Sequence, residues 1–227
     1  MQDKTLRGGL IFTGVGILAI VALWFFVLRD TQITSGPIRS VPLVTNDPSA
    51  TLFEITRASE ARFTLNELLR GAPTTVVGFT NQVAGQIAIN PDDLSTAVLG
   101  EILVNARTLQ TDNDFRNTAI GSRILLTGEY EFIRFVPRRI EGLPGQTAVG
   151  APVTFTVTGD LTVKDVTRKV TFAVTAVLAT PTQLQGTAST TINRADFALV
   201  IPEVPGVANV DEAILLEIDF VAAAAAN

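Results

Sequence analysis

The sequence predicts an all-β domain, a sandwich or a closed barrel, behind one apolar N-terminal segment. Three observations carry this. From residue 51 to residue 222, apolar and polar residues alternate instead of stepping at helical spacing. Thr, Val, Ile and Phe fill the alternating runs, and Gly, Pro, Asn or Asp punctuate them. Residues 8–28, GGLIFTGVGILAIVALWFFVL, hold no charge at all.

That first segment comes before the domain. As a helix it would rise roughly 30 Å at about 1.5 Å per residue, enough for a hydrocarbon core. Bulky Trp24 to Leu28 and then Arg29 stand where a cleaved signal peptide needs small residues. The expectation is therefore a single transmembrane anchor. Lys4 and Arg7 favour a cytoplasmic stub, with the rest of the chain outside the cytoplasm at the cell membrane. Gly14, Gly16, Ala19 and Ala22 need no partner helix, because small residues are common in membrane helices. The chain divides into a stub and anchor (1–30), a Pro-containing linker (31–50), a β domain (51–222) and a tail (223–227). Pro37, Pro42 and Pro48 make the linker an irregular, partly extended tether.

Strand-like runs follow at 51–57, 60–65, 74–80, 83–90, 97–107 and 129–136. The clearest is 153–164. There Val153, Phe155, Val157, Leu161 and Val163 are apolar, while Thr154, Thr156, Thr158, Asp160 and Thr162 are polar. Val170, Phe172, Val174, Ala176 and Leu178 line one face of the next strand. Lys164-Asp165-Val166-Thr167 forms the turn between them, with Asp165 suited to a left-handed conformation. Two more runs, 184–193 and 212–221, complete eight to ten strands. One helix candidate interrupts them at 112–124, capped by Thr111 or Asp112, with Phe115, Ala119 and Ile120 facing the domain.

Composition removes most chemistries. The chain has no Cys and no His, which excludes disulfides, thiol catalysis, Cys/His zinc sites and His-based triads. A net charge of −5 argues against non-specific nucleic-acid binding. The close acid sets Asp92-Asp93, Asp112/Asp114 and Asp211-Glu212 read as solvated loop acids, and no phosphate loop or nucleophile elbow is present. No enzyme, metal or cofactor is expected.

Several segments carry a family likeness. They are Ser59-Glu60-Ala61-Arg62-Phe63, Val76-Val77-Gly78-Phe79-Thr80 with Val83-Ala84-Gly85-Gln86-Ile87, and Leu109-Gln110-Thr111-Asp112 with Arg116. Further on come Tyr130 to Phe135, Gly159-Asp160-Leu161-Thr162-Val163 running to Arg168, and Asn193-Arg194-Ala195-Asp196-Phe197. In this order they resemble the YceI-like family of polyisoprenoid-binding, lipocalin-like domains, over 51–222 only. The chain departs from the family pattern at Glu131 (usually Pro), at Asp165 and Ala198 (usually Gly), and in lacking a second-strand His. The resemblance implies an antiparallel barrel of about eight strands with one short helix. It also implies an apolar cavity for a membrane lipid such as an isoprenoid or quinone-like chain.

By alternation the candidate cavity residues are Phe63, Phe79, Ile87, Ile102 and Val104, then Phe132, Phe155, Val157, Phe172 and Val174. A barrel filled by its own side chains is the alternative, leaving an accessory subunit docked to a membrane-protein partner or a second copy. Asp112, Arg116, Arg123 and Arg194 are the polar candidates for the cavity mouth. Each also has a plain reading as a cap or surface ion pair, and Arg194 reads as the partner of Asp196.

Overall fold

A computed structural model describes residues 35–225 of the protein. The apolar run 8–28 and its flanking Lys4, Arg7 and Arg29 lie outside the described residues. Among the described residues, no helix is long and apolar enough to cross a membrane.

Alternation becomes strand throughout the domain. The strands are β1 (Thr51–Ile55), β2 (Glu60–Leu69), β3 (Ala72–Thr80), β4 (Val83–Ala84), β5 (Gln86–Ile89), β6 (Val98–Leu99) and β7 (Ile102–Asn105). They continue as β8 (Phe132–Glu141), β9 (Pro152–Val163), β10 (Val166–Thr180), β11 (Gln183–Asn193), β12 (Val207–Ala208) and β13 (Ala213–Ala224). One short helix, α1 (Asp114–Ala119), runs into a π turn over Ile120–Ile124.

All pairings are antiparallel, and together they make one curled sheet. Its path is β4-β7-β8-β9-β10-β11-β13-β1-β5-β6. One limit of that path, β4, lies on the same stretch of chain as β5, its next-to-last strand. Only Gly85 separates β4, which pairs with β7, from β5, which pairs with β1. β13 is the hub. It pairs with β11 along its length, with β2 through Leu215–Asp219, and with β1 through Ala222–Ala224. β2 in turn pairs with β3 and β12.

The segments number thirteen rather than about eight, for physical reasons. Gly85 splits the run expected at 83–90, and residues 100 and 101 split the run expected at 97–107. β12 is two residues long, too short to show a period. At the other end, the alanines that read as a tail continue β13: Ala224 pairs with Phe53, and Ala222 is fully buried.

The β9–β10 hairpin shows how sequence sets the wall. Val157, Leu161, Val163, Phe172, Val174, Ala176 and Leu178 are buried on one face. On the outer face Thr158 and Thr171 stand opposite each other with hydroxyls 2.8 Å apart, as do Thr162 and Thr167. The turn is tighter than expected. Val163 pairs directly with Val166, and the left-handed residue is Lys164 (φ 57°), not Asp165.

α1 is capped by Asn113, whose side chain accepts from the Arg116 amide, rather than by Thr111 or Asp112. Asn117 reaches back to accept from the Thr111 amide at 2.7 Å. Residues 40–50 have no regular structure but are tied to the sheet. The Leu43 amide donates to Gln86, and Asp47 accepts from Asn90 and Thr96.

Candidate ligand cavity

The inner face of the sheet encloses two apolar cavities, of about 440 Å³ and about 120 Å³. They lie end to end along the strands. On β9, Leu161 and Val163 line the larger and Val153, Phe155 and Val157 the smaller. On β10 the division falls between Phe172 and Val174, and on β11 between Ile192 and Ala188. Among the described residues, only Ile102 on β7 and Ile218 on β13 line both.

Three glycines of the wall each lie under a phenylalanine ring of a neighbouring strand, and at Gly159 and Gly186 a backbone carbonyl also crowds the place of a side chain. A Cβ on Gly78 would fall 2.1 Å from the Phe63 ring, and one on Gly159 would fall 2.6 Å from the Phe135 ring. A Cβ on Gly186 would fall 2.7 Å from the Phe220 ring. Each ring thus covers a glycine on a neighbouring strand. Phe135 and Phe172 meet edge to face, with ring centroids 5.0 Å apart.

Of the residues expected from alternation, Phe63, Val104 and Phe172 line the larger cavity, and Ile87, Phe155, Val157 and Val174 line the smaller. Ile102 lines both. Phe79 and Phe132 line neither. Phe79 points outward and is 44% exposed, because the inward positions of β3 are Val76, Gly78 and Thr80. Gly78 takes the inward place so that Phe63 can cover it. On β8 the inward residues are Ile133 and Phe135, so Phe132 has the opposite parity. A register shift between Pro137 and Arg139 then changes parity again and brings Ile140 to the smaller cavity.

Polar groups gather at the larger cavity only. Glu67 lies on the inward face of β2, four residues after Phe63, with a side chain 7% exposed. Arg116 from α1 meets it at 2.9 Å and holds Asp112 at 2.6 Å with its other nitrogen. Asn113, Arg116 and Arg70 complete this polar end, and Phe115 of α1 stands at the rim, 89% exposed. Phe115 thus lines the mouth rather than packing into the domain. The loop 199–207, with Pro202, Val204 and Pro205, forms the other side of the rim. Arg62 also lines the cavity, and Asp219 and Glu60 raise its pKa by hydrogen bonding to its guanidinium. Among the described residues, Thr147 is the one polar residue lining the smaller cavity, and its Oγ1 has no partner there.

Two mouth candidates are placed elsewhere. Arg123 is exposed and lines no cavity. Arg194 begins a 3-10 turn over Arg194–Phe197 and pairs with Glu212 and the Asp211 carbonyl, not with Asp196. Glu131, at a position where the family usually has Pro, is drawn into a polar cluster. It pairs with Arg107 at 3.4 Å and accepts from fully buried Asn105. Glu67, Phe135 and Ile218 were missed as lining residues. The period-two count forward from Phe63 reaches Glu67, and the apolar face of 212–221 includes Ile218. The faces of β3 and β8 needed the structure. Among the described residues, no group of His, Cys, Asp or Glu is placed to hold a metal ion.

Sheet, helix and interior together define a lipocalin-like β fold. The chain belongs to the YceI-like domain family, whose model matches residues 54–222. Solved structures share the fold at low identity. A polyisoprenoid-binding domain from Saccharophagus degradans, implicated in plant cell wall breakdown, aligns with a TM-score of 0.60 at 14% identity, covering 78% of this chain and 99% of that one. BcnA from Burkholderia cenocepacia aligns at 0.57 and 18% identity, covering 74% and 98%. The Campylobacter jejuni YceI protein aligns at 0.52 and 15%, covering 66% and 85%. No curated protein matches the chain significantly.

Proposed function

We propose that this protein binds a lipid without catalysis, holding a polyisoprenoid or quinone-like chain inside a barrel-like sheet. The observation that carries this is the pair of stacked apolar cavities, about 440 and 120 Å³, with charged and polar side chains gathered at one end. A slender chain transferred from water gains about 25 cal/mol per Å² of apolar surface buried, which needs no reacting group. The ligand's polar end would rest near Glu67, Asn113 and Arg116, and its tail would point toward Ile102 and Ile218. The Saccharophagus degradans relative, described as a polyisoprenoid-binding domain, supports the same ligand class. The apolar segment 8–28 would hold the domain against the outer side of the cell membrane, where such lipids reside.

Organic extraction of the full chain, purified from its native host without added lipid, tests this by mass spectrometry. Recovery of about one isoprenoid or quinone per chain is the expected result. An empty extract, with failure of the same protein to take up added prenols, overturns it.

A further inference from the structure

We propose that Ile102 and Ile218 form a partition that sets the length of chain the interior accepts. This rests on the lipid-binding reading above. The two cavities follow one another along β9, β10 and β11, with the boundary stepping between directly paired Val157 and Phe172, and among the described residues only these two isoleucines line both spaces. Ile102 comes from β7 and Ile218 from β13. Gly85 seats Ile102: a Cβ there would fall 2.4 Å from the Ile102 Cδ1. On β8 and β9 the boundary falls at two irregularities of the wall, the register shift at Pro137–Arg139 and Gly159.

Volume turns the partition into a chain-length rule. A cavity of about 150 Å³ holds one benzene ring, or about 25 Å³ per carbon. The larger space of about 440 Å³ then holds roughly 18 carbons, between three and four isoprene units. The smaller space of about 120 Å³ adds roughly 5 carbons, one further unit, only for a chain that passes Ile102 and Ile218. Chains up to about fifteen carbons fit on one side. A chain of twenty-five must cross the partition or leave a unit in water.

The test measures dissociation constants of the full chain for prenols of 10, 15, 20 and 25 carbons, by displacement of a fluorescent probe. In the unaltered protein, affinity is expected to rise steeply from 10 to 15 carbons and to change less than threefold from 20 to 25. In Ile102→Ala and Ile218→Ala, the ratio of 25-carbon to 15-carbon affinity is expected to rise at least tenfold. Ile102→Val, a smaller opening, keeps the test available if either alanine variant melts at the assay temperature, and its ratio should move in the same direction. A wild-type affinity that climbs as steeply from 20 to 25 carbons as from 10 to 15 overturns the partition while leaving lipid binding intact. So does a ratio unmoved in folded variants. Absence of binding at every length, in every variant, overturns the lipid-binding reading itself and the partition with it.

Discussion

At the residue scale, the most exacting position is the ion pair in the cavity wall. Glu67 is nearly without solvent, and Arg116 is its one basic partner among the described residues, at 2.9 Å. Removing one member of a buried pair costs about 3–5 kcal/mol, because the other charge is left uncompensated. Arg116→Leu is expected near the lower end of that range, since Arg116 keeps 18% of its side-chain exposure. The double variant Glu67→Leu/Arg116→Leu should recover most of the loss, to within about 1 kcal/mol of the parent. Urea unfolding of the four proteins in the cycle measures it, and equal losses in single and double variants would contradict it. A second position is strained by its backbone alone. Ala198 ends the 3-10 turn at φ 50°, ψ 37°, the left-handed region. An L-residue there costs roughly 1–2 kcal/mol, while glycine costs about 0.5–1 kcal/mol in lost chain entropy. Ala198→Gly should therefore stabilise the fold by about 0.5–1 kcal/mol, read as a higher urea midpoint with unchanged slope.

At the element scale, the β9–β10 hairpin was legible because both strands are regular and buried on one face. The turn was misjudged by two residues because Lys164, not a turn-favouring residue, takes the left-handed conformation. β3 and β8 were legible as strands but not as faces. In β3 the inward place belongs to Gly78, so the apolar Phe79 lies outside, and hydrophobicity alone points the wrong way. In β8 a register shift changes parity midway, and no residue type announces it. Glu67 shows the converse: its position on the face of Phe63 was countable, but an acid inside an apolar wall makes sense only once Arg116 is beside it. The stretch 40–50 carries the pH prediction. Hydrogen bonds from Thr96, the Ser49 amide and Asn90 hold the Asp47 carboxyl below its ordinary 3.8. A lowered folded-state pKa means the contribution is complete above the unfolded value and fades as pH falls through the folded one. The tie between residues 40–50 and the sheet should thus be intact at pH 5 and above, and loosen below about 3.8. Hydrogen exchange at the Ser49 and Leu43 amides would follow it. Asp47→Ala should give the loosened behaviour already at neutral pH.

At the scale of the whole molecule, the curled sheet is joined through elements far apart in sequence. Thr56 donates to the Val221 carbonyl across 165 residues, and β13 alone supports β1, β2 and β11. Removing residues 213–224 strips a partner from all three. A chain ending at 212 should show no cooperative thermal transition and should bind a hydrophobic dye at room temperature. A sharp melt in that protein would show that the remaining strands close without β13. The same long span matters on the ribosome. At roughly 5–20 residues per second, Thr56 waits on the order of ten to thirty seconds before its partner is made. Throughout that interval the greasy lining destined for the interior has no wall opposite it. The nascent chain is therefore a client for whatever chaperone shields unfinished β surfaces, and slow translation late in the message would lengthen its exposure.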